Sequence, residues 1–284
     1  MKRISLLSLL ISANLVWVDP AQGLTPHTVT LDFDLLERRG LELAQEAAQL
    51  AQFQQLPLAL QRAELATQLV PGDYRLWALV ADIHLRSGET GEAIAALKVA
   101  QSIAPEEPTL LFALGSAYFR EADYDAAASS IQKGLSLKPD IPGALFDLGN
   151  VYYVQQQYAT AIATYDKAIA LKEDFWEALN NIGLVNYEQG NSAAALDYWQ
   201  QALTINPEAA EPKLAVAVAL YAKGDQATGL TEGIAALTLD SRYGDLDFLK
   251  EQLWGDRILA DTTIFLAVPQ VREALIRAQE QQAQ

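Results

Sequence analysis

The chain has 284 residues, 51% hydrophobic and 20% charged, with 20 Lys and Arg against 36 Asp and Glu for a net charge of −16. This is globular composition, which excludes a mostly disordered chain, and so acidic a surface repels phosphate backbones, which argues against nucleic acid as a partner. Zero Cys and two His, His27 and His84, remove disulfides, thiolate metal sites and cysteine nucleophiles and leave little for imidazole chemistry. No metal, cofactor or enzymatic activity is expected.

The chain starts Met1-Lys2-Arg3, followed by a mostly apolar stretch from Ile4 to Val18 that Asp19-Pro20 ends. Ala21-Gln22-Gly23 then offers small residues at both positions ahead of a cut before Leu24. A basic start, a short apolar run and a small-x-small site are the secretory pattern. The run is shorter than the ~20 residues that span a bilayer. Residues 1–23 are therefore read as a cleaved export signal, with an uncleaved membrane anchor as the minor alternative, and residues 24–39 as a linker.

From residue 40 a 34-residue period takes over. Prolines fall at 71, 105, 139 and 207, with Glu173 at the missing beat, and define units 40–73, 74–107, 108–141, 142–175, 176–209 and 210–243. Position 8 of the central units is Gly115, Gly149 and Gly183; position 20 is Ala59, Ala93, Ala127, Ala161 and Ala195; position 27 is Ala66, Ala100, Ala168, Ala202 and Ala236. Gly88, Gly190 and Gly224 share position 15, where a tight turn needs positive φ. Small residues at these offsets let two antiparallel helices per unit approach closely, and larger residues at 4, 7, 11 and 24 fill the gaps. The sixth unit departs from the pattern, with Gly229 and Gly233 at positions 20 and 24. Residues 244–284 read as capping helices: one carrying Leu246, Phe248, Leu249 and Leu253, a second over 256–267, and a third opened by Pro269.

The segments Leu111-Phe112-Ala113-Leu114-Gly115-Ser116-Ala117-Tyr118 and Leu145-Phe146-Asp147-Leu148-Gly149-Asn150-Val151-Tyr152, with Ala195-x3-Trp199-x2-Ala202-x4-Pro207, resemble the two helices of the tetratricopeptide repeat (TPR). The resemblance implies an all-α fold: a right-handed α-solenoid superhelix of about six antiparallel helix pairs with a C-terminal helical cap. The acidic, Gln- and Ala-rich composition and the Trp254-Gly255-Asp256 cap resemble those of exported TPR proteins of photosynthetic bacteria such as cyanobacteria, which implies the periplasm or thylakoid lumen.

The resemblance also implies that first helices line a concave groove through positions 2, 5, 6, 9, 12 and 13. There the sequence places an aromatic stripe of Phe112, Phe119, Phe146, Tyr153, Tyr187 and Tyr221. Asn150 and Asn181 occupy offsets that other repeats of this kind use to hold a peptide backbone, and an amide both donates and accepts. Arg86 and Arg120 lie toward the first half, and Glu177 and Glu211 toward the second. These residues form the expected peptide-binding groove, with a charge gradient that would orient a ligand. The expected function is a protein-interaction scaffold or assembly factor binding a peptide or protein segment, with a membrane complex as a possible partner and the oligomeric state open. The alternative is a structural homo-oligomer or membrane-associated organiser docking through Trp254, Ile258, Leu259, Ile264, Phe265 and Leu266 of the cap.

Overall fold

The computed structural model describes residues 32–282, so the expected export signal, the first half of the expected linker and His27 lie outside it. The described residues form fifteen α-helices, with one 3-10 turn at Ser241–Gly244. Six pairs come first: α1 (Phe33–Gln52) with α2 (Leu56–Leu69), α3 (Tyr74–Arg86) with α4 (Thr90–Ile103), and α5 (Pro108–Arg120) with α6 (Tyr124–Leu137). They continue with α7 (Pro142–Val154) and α8 (Tyr158–Leu171), α9 (Trp176–Glu188) and α10 (Ser192–Ile205), and α11 (Ala210–Lys223) and α12 (Gln226–Leu239). Three cap helices follow: α13 (Leu246–Glu251), α14 (Asp256–Leu266) and α15 (Pro269–Gln282). Part of the expected linker is helical, because Asp32 accepts a hydrogen bond from the Leu35 N–H and starts α1 at Phe33. None of the described helices is long and apolar enough to cross a membrane.

Local chemistry explains the boundaries. Asp73, Glu107, Asp123 and Asp225 cap α3, α5, α6 and α12 by accepting backbone N–H bonds. Pro108, Pro142 and Pro269 stand at first helical positions, where a missing N–H costs nothing. All six interhelix turns carry a left-handed residue at position 15. Gly88, Gly190 and Gly224 take φ of 78°, 85° and 105°, while Gln54, Ala122 and Gln156 hold φ near 58° without the freedom of glycine. Each of those three non-glycine turns stores about 1 kcal/mol of backbone strain, held by the packing of its two helices.

Within a pair, position 8 of the first helix faces position 24 of the second. A side chain at Gly115 would collide with Ile131, at Gly149 with the Tyr165 ring, and at Gly183 with the Trp199 indole. Glycine therefore makes room for a large partner, and Ile131, Tyr165 and Trp199 are all essentially inaccessible to solvent. First helices also touch the first helices of neighbouring units, α1 with α3, α5 with α7 and α7 with α9. The array thus tightens on its first-helix side, which makes that side the concave one.

The cap does not simply extend the array. Helix α14 packs on α9 and α11, both first helices, so it lies within the concave face of the last two units. Its Phe265 fills the space left by Gly233, where the sixth unit lacks a large residue at position 24, and makes an edge contact with Tyr221 at 5.5 Å between centroids. Helix α15 closes against α12.

Candidate binding groove

The open part of the concave face lies between α5, α7 and α9 and the turn that precedes α14. Helix periodicity brings position 5 of α7, positions 2, 5 and 6 of α9 and position 2 of α11 to one surface. The result is a cavity of about 360 Å3 lined by Phe119, Phe146, Asn150, Trp176, Glu177, Asn180, Asn181 and Glu211 from the repeats, and by Tyr243, Glu251, Gln252 and Leu253 from the cap side. A second cavity of about 270 Å3 shares Phe119 and Asn150 and adds Ser116, Arg120 and Asp147.

An amide relay forms the floor. Asn150 Oδ1 accepts from the Tyr165 hydroxyl at 2.7 Å and from Asn181 Nδ2 at 2.9 Å. Asn181 Oδ1 in turn accepts from Asn180 Nδ2 at 3.2 Å. Phe146 leans on Tyr165 and Phe175, with centroids 5.7 and 5.1 Å away. The relay continues to Glu211, whose carboxylate accepts from the Trp254 indole N–H at 3.1 Å and faces the Tyr243 hydroxyl at 3.5 Å. Burial pushes the Glu211 carboxyl up to about 7, against the opposing pull of hydrogen bonds from Asn180, Trp254 and Tyr243. Burial likewise raises Asp147, which accepts from Ser116 Oγ at 3.2 Å. Among the described residues no group of His and carboxylates is arranged to hold a metal ion.

Four repeat-family models match the chain: a TPR repeat over residues 149–190 and tetratricopeptide repeats over 36–108, 108–141 and 176–208. Residues 36–141 and 149–208 of the chain are tetratricopeptide repeats. Among solved structures it is similar to MamA, with 22% identity, a TM-score of 0.55 and coverage of 61% of this chain and 94% of that one. It also resembles YrrB, described as a TPR protein with an unusual peptide-binding site, at 18% identity, TM-score 0.54, and 68% and 98% coverage. PilF of Pseudomonas aeruginosa superposes with a TM-score of 0.62 at 16% identity, covering 77% of this chain and 98% of its own. At such identities the likeness is one of fold. Among curated proteins there is no significant match.

The TPR architecture distributes the twelve residues singled out by sequence unevenly. Phe119, Phe146, Asn150, Glu177, Asn181 and Glu211 meet at the larger cavity, and Arg120 reaches the adjoining one while donating to the Leu85 carbonyl at 3.4 Å. Phe112 instead packs inside its own pair, against Gly134. Arg86 stays by Asp82 at 4.0 Å. Tyr153, Tyr187 and Tyr221 sit on the first helices but face the chain's own C-terminal segment. The Tyr187 hydroxyl donates to Asp261 at 2.6 Å, and Tyr153 lies against the turn at Leu253–Gly255. Those three aromatics are therefore occupied by the cap, which corrects their expected role as open groove surface.

The acidic half of the expected gradient is engaged only in part: Glu211 accepts from Trp254, whereas Glu177 Oε2 has no partner. Glu188 accepts from the N–H groups of Arg257 and Ile258, both at 3.1 Å, and so seats the N-terminus of α14 on α9. Of the cap residues expected to dock outward, Trp254, Ile258 and Phe265 are buried within the chain, while Ile264 is exposed. The sequence reading missed Trp176 and Asn180. Trp176 stands at position 1 of the fifth unit, outside the groove-facing offsets, and Asn180 at position 5 breaks the aromatic pattern that Phe112 and Phe146 set there. His84, near the end of α3, has Nδ1 2.6 Å from the Glu89 carboxylate.

Proposed function

We propose that this protein is a non-catalytic scaffold or assembly factor that works outside the cytoplasm and binds a peptide or protein segment in its concave groove. The observation that carries this reading is the cavity of about 360 Å3, which combines an aromatic wall of Phe119, Phe146 and Trp176 with the amide relay of Asn150, Asn181 and Asn180. Aromatic walls take apolar side chains, and amides hold an extended backbone whatever its sequence. Its family is built for such contacts, and YrrB, a TPR protein of the same fold, is described as having a peptide-binding site. The basic start, apolar run and Ala21-Gln22-Gly23 site support export, to a periplasm or thylakoid lumen.

The alternative, self-assembly or membrane organisation through the cap, loses most of its surface because Trp254, Ile258 and Phe265 hold the cap to its own array.

A random linear peptide library displayed on phage and panned on the full chain tests the groove. Recovered peptides should bind the wild type and lose at least tenfold in affinity for a Phe119→Ala, Trp176→Ala double variant whose far-UV circular dichroism stays helical. Equal binding to both would refute the groove reading. Asn150→Ala is unsuited to this purpose, since it would strand the buried Tyr165 hydroxyl. N-terminal sequencing of the protein isolated from its source cells should find a start at Leu24; a start at Met1 contradicts cleavage.

A further inference from the structure

The groove cavity holds buried acceptors that no donor of the chain satisfies. Asn180 is 1% exposed, and its Oδ1 makes no hydrogen bond. Glu177 Oε2, on the same wall of α9, is buried and also without a partner. The N–H groups nearby already serve other acceptors: Asn180 Nδ2 donates to Asn181, Asn181 Nδ2 to Asn150, and the Trp254 indole to Glu211. No Lys or Arg lines this cavity, whereas Glu177, Glu211 and Glu251 do. A buried acceptor without a donor is costly, so the chain keeps two unmet demands at one place. An anionic group would meet three carboxylates and no cation there.

On this basis we propose that the cavity receives a cationic, donor-rich side chain, Lys or Arg, from the bound segment, with Glu177 Oε2 and Asn180 Oδ1 as its acceptors. An ammonium brings three donors and a guanidinium five, enough for both orphaned oxygens at once. The aromatic wall suits the same group, because Phe119, Phe146 and Trp176 offer ring faces to a cation and apolar surface to its methylene stem. Glu211 stands beside them, and a bound cation favours its ionised form. Arg120 lines the adjoining cavity instead and donates to the Leu85 carbonyl. This assignment rests on the groove reading above and names the ligand chemistry that the groove selects.

The same phage-displayed library separates the two. Groove-dependent peptides should align on one Lys or Arg. In synthetic versions of the strongest binder, Arg→citrulline or Lys→norleucine should weaken binding at least tenfold. Glu177→Gln in the protein, which keeps side-chain shape, should do the same, while Glu280→Gln on the far C-terminal helix changes nothing. Peptides that need Phe119 and Trp176 yet show no enriched cation, or that bind the Glu177→Gln chain equally well, would overturn the cation assignment and leave the groove standing. Recovery of no groove-dependent peptide would overturn both. Because citrulline and norleucine alter the peptide alone, the outcome stands even if Glu177→Gln perturbs folding.

Discussion

Replacing Phe265 with alanine is expected to cost about 4 kcal/mol and to release the C-terminal segment from the groove. Phe265 is fully buried, and its ring occupies the space above Gly233 that a large position-24 residue fills in the other later units. Deleting a buried Phe side chain typically costs 3–5 kcal/mol, because the cavity collapses only in part. In an array whose units contact only their neighbours, the loss falls on the sixth unit and the cap. Urea unfolding should therefore show a lower midpoint, and limited proteolysis should cut between residues 245 and 284 while the earlier units resist. Unchanged protection of that segment would refute the role given to Phe265. A Gly233→Leu, Phe265→Ala pair supplies the missing side chain from the repeat instead, and should recover part of the stability but not the protection of the cap. That asymmetry distinguishes filling a hole from holding a segment.

Stability should fall as pH rises from 5 to 8, by an amount that vanishes in Glu211→Gln. The Glu211 carboxyl is pushed by burial from its ordinary 4.5 up to about 7 in the folded chain. Below pH 4.5 it is protonated in both states and contributes no difference. Between 4.5 and 7 the unfolded chain ionises while the folded chain keeps its proton, so stability declines; above 7 both are ionised and the loss is complete. At 1.36 kcal/mol per unit the full effect is about 3 kcal/mol. Unfolding free energies at pH 5 and pH 8 for wild type and Glu211→Gln give a double difference that isolates this carboxyl from the other titrating groups. A double difference near zero would refute the assignment. A cationic ligand in the groove would oppose the decline by favouring the ionised carboxyl.

Much of the architecture was legible because a TPR unit is a local object. The 34-residue proline spacing and the glycine and alanine offsets encode where helices end and how closely they pack, and contacts inside a pair join residues near in sequence. The groove was legible only in part. The family resemblance put Phe146, Asn150, Asn181 and Glu211 on the groove face, and they do share a cavity. It also put Tyr187 and Tyr221 on that face, correctly, but could not say what would lie over them. Phe112 was misassigned because a ring at position 5 can turn either into the groove or onto the small Gly134 of its own second helix. Asn180, at the same offset, was overlooked because an isolated amide carries no pattern. Its importance comes from being buried with an acceptor unmet.

The sequence by itself determined the all-helical class, the repeat length and the pairing of helices. Those follow from propensity, capping and periodicity, which act over a few turns. Only the tertiary structure decided that the C-terminal segment folds back into the groove. The contacts responsible join Tyr187 to Asp261, 74 residues apart, and Glu188 to Ile258, 70 residues apart. No periodic signal reports such pairs. The one trace in the sequence was a defect, Gly233 where a large residue belongs, and the physical reason for it lies in Phe265: close packing leaves no room for both.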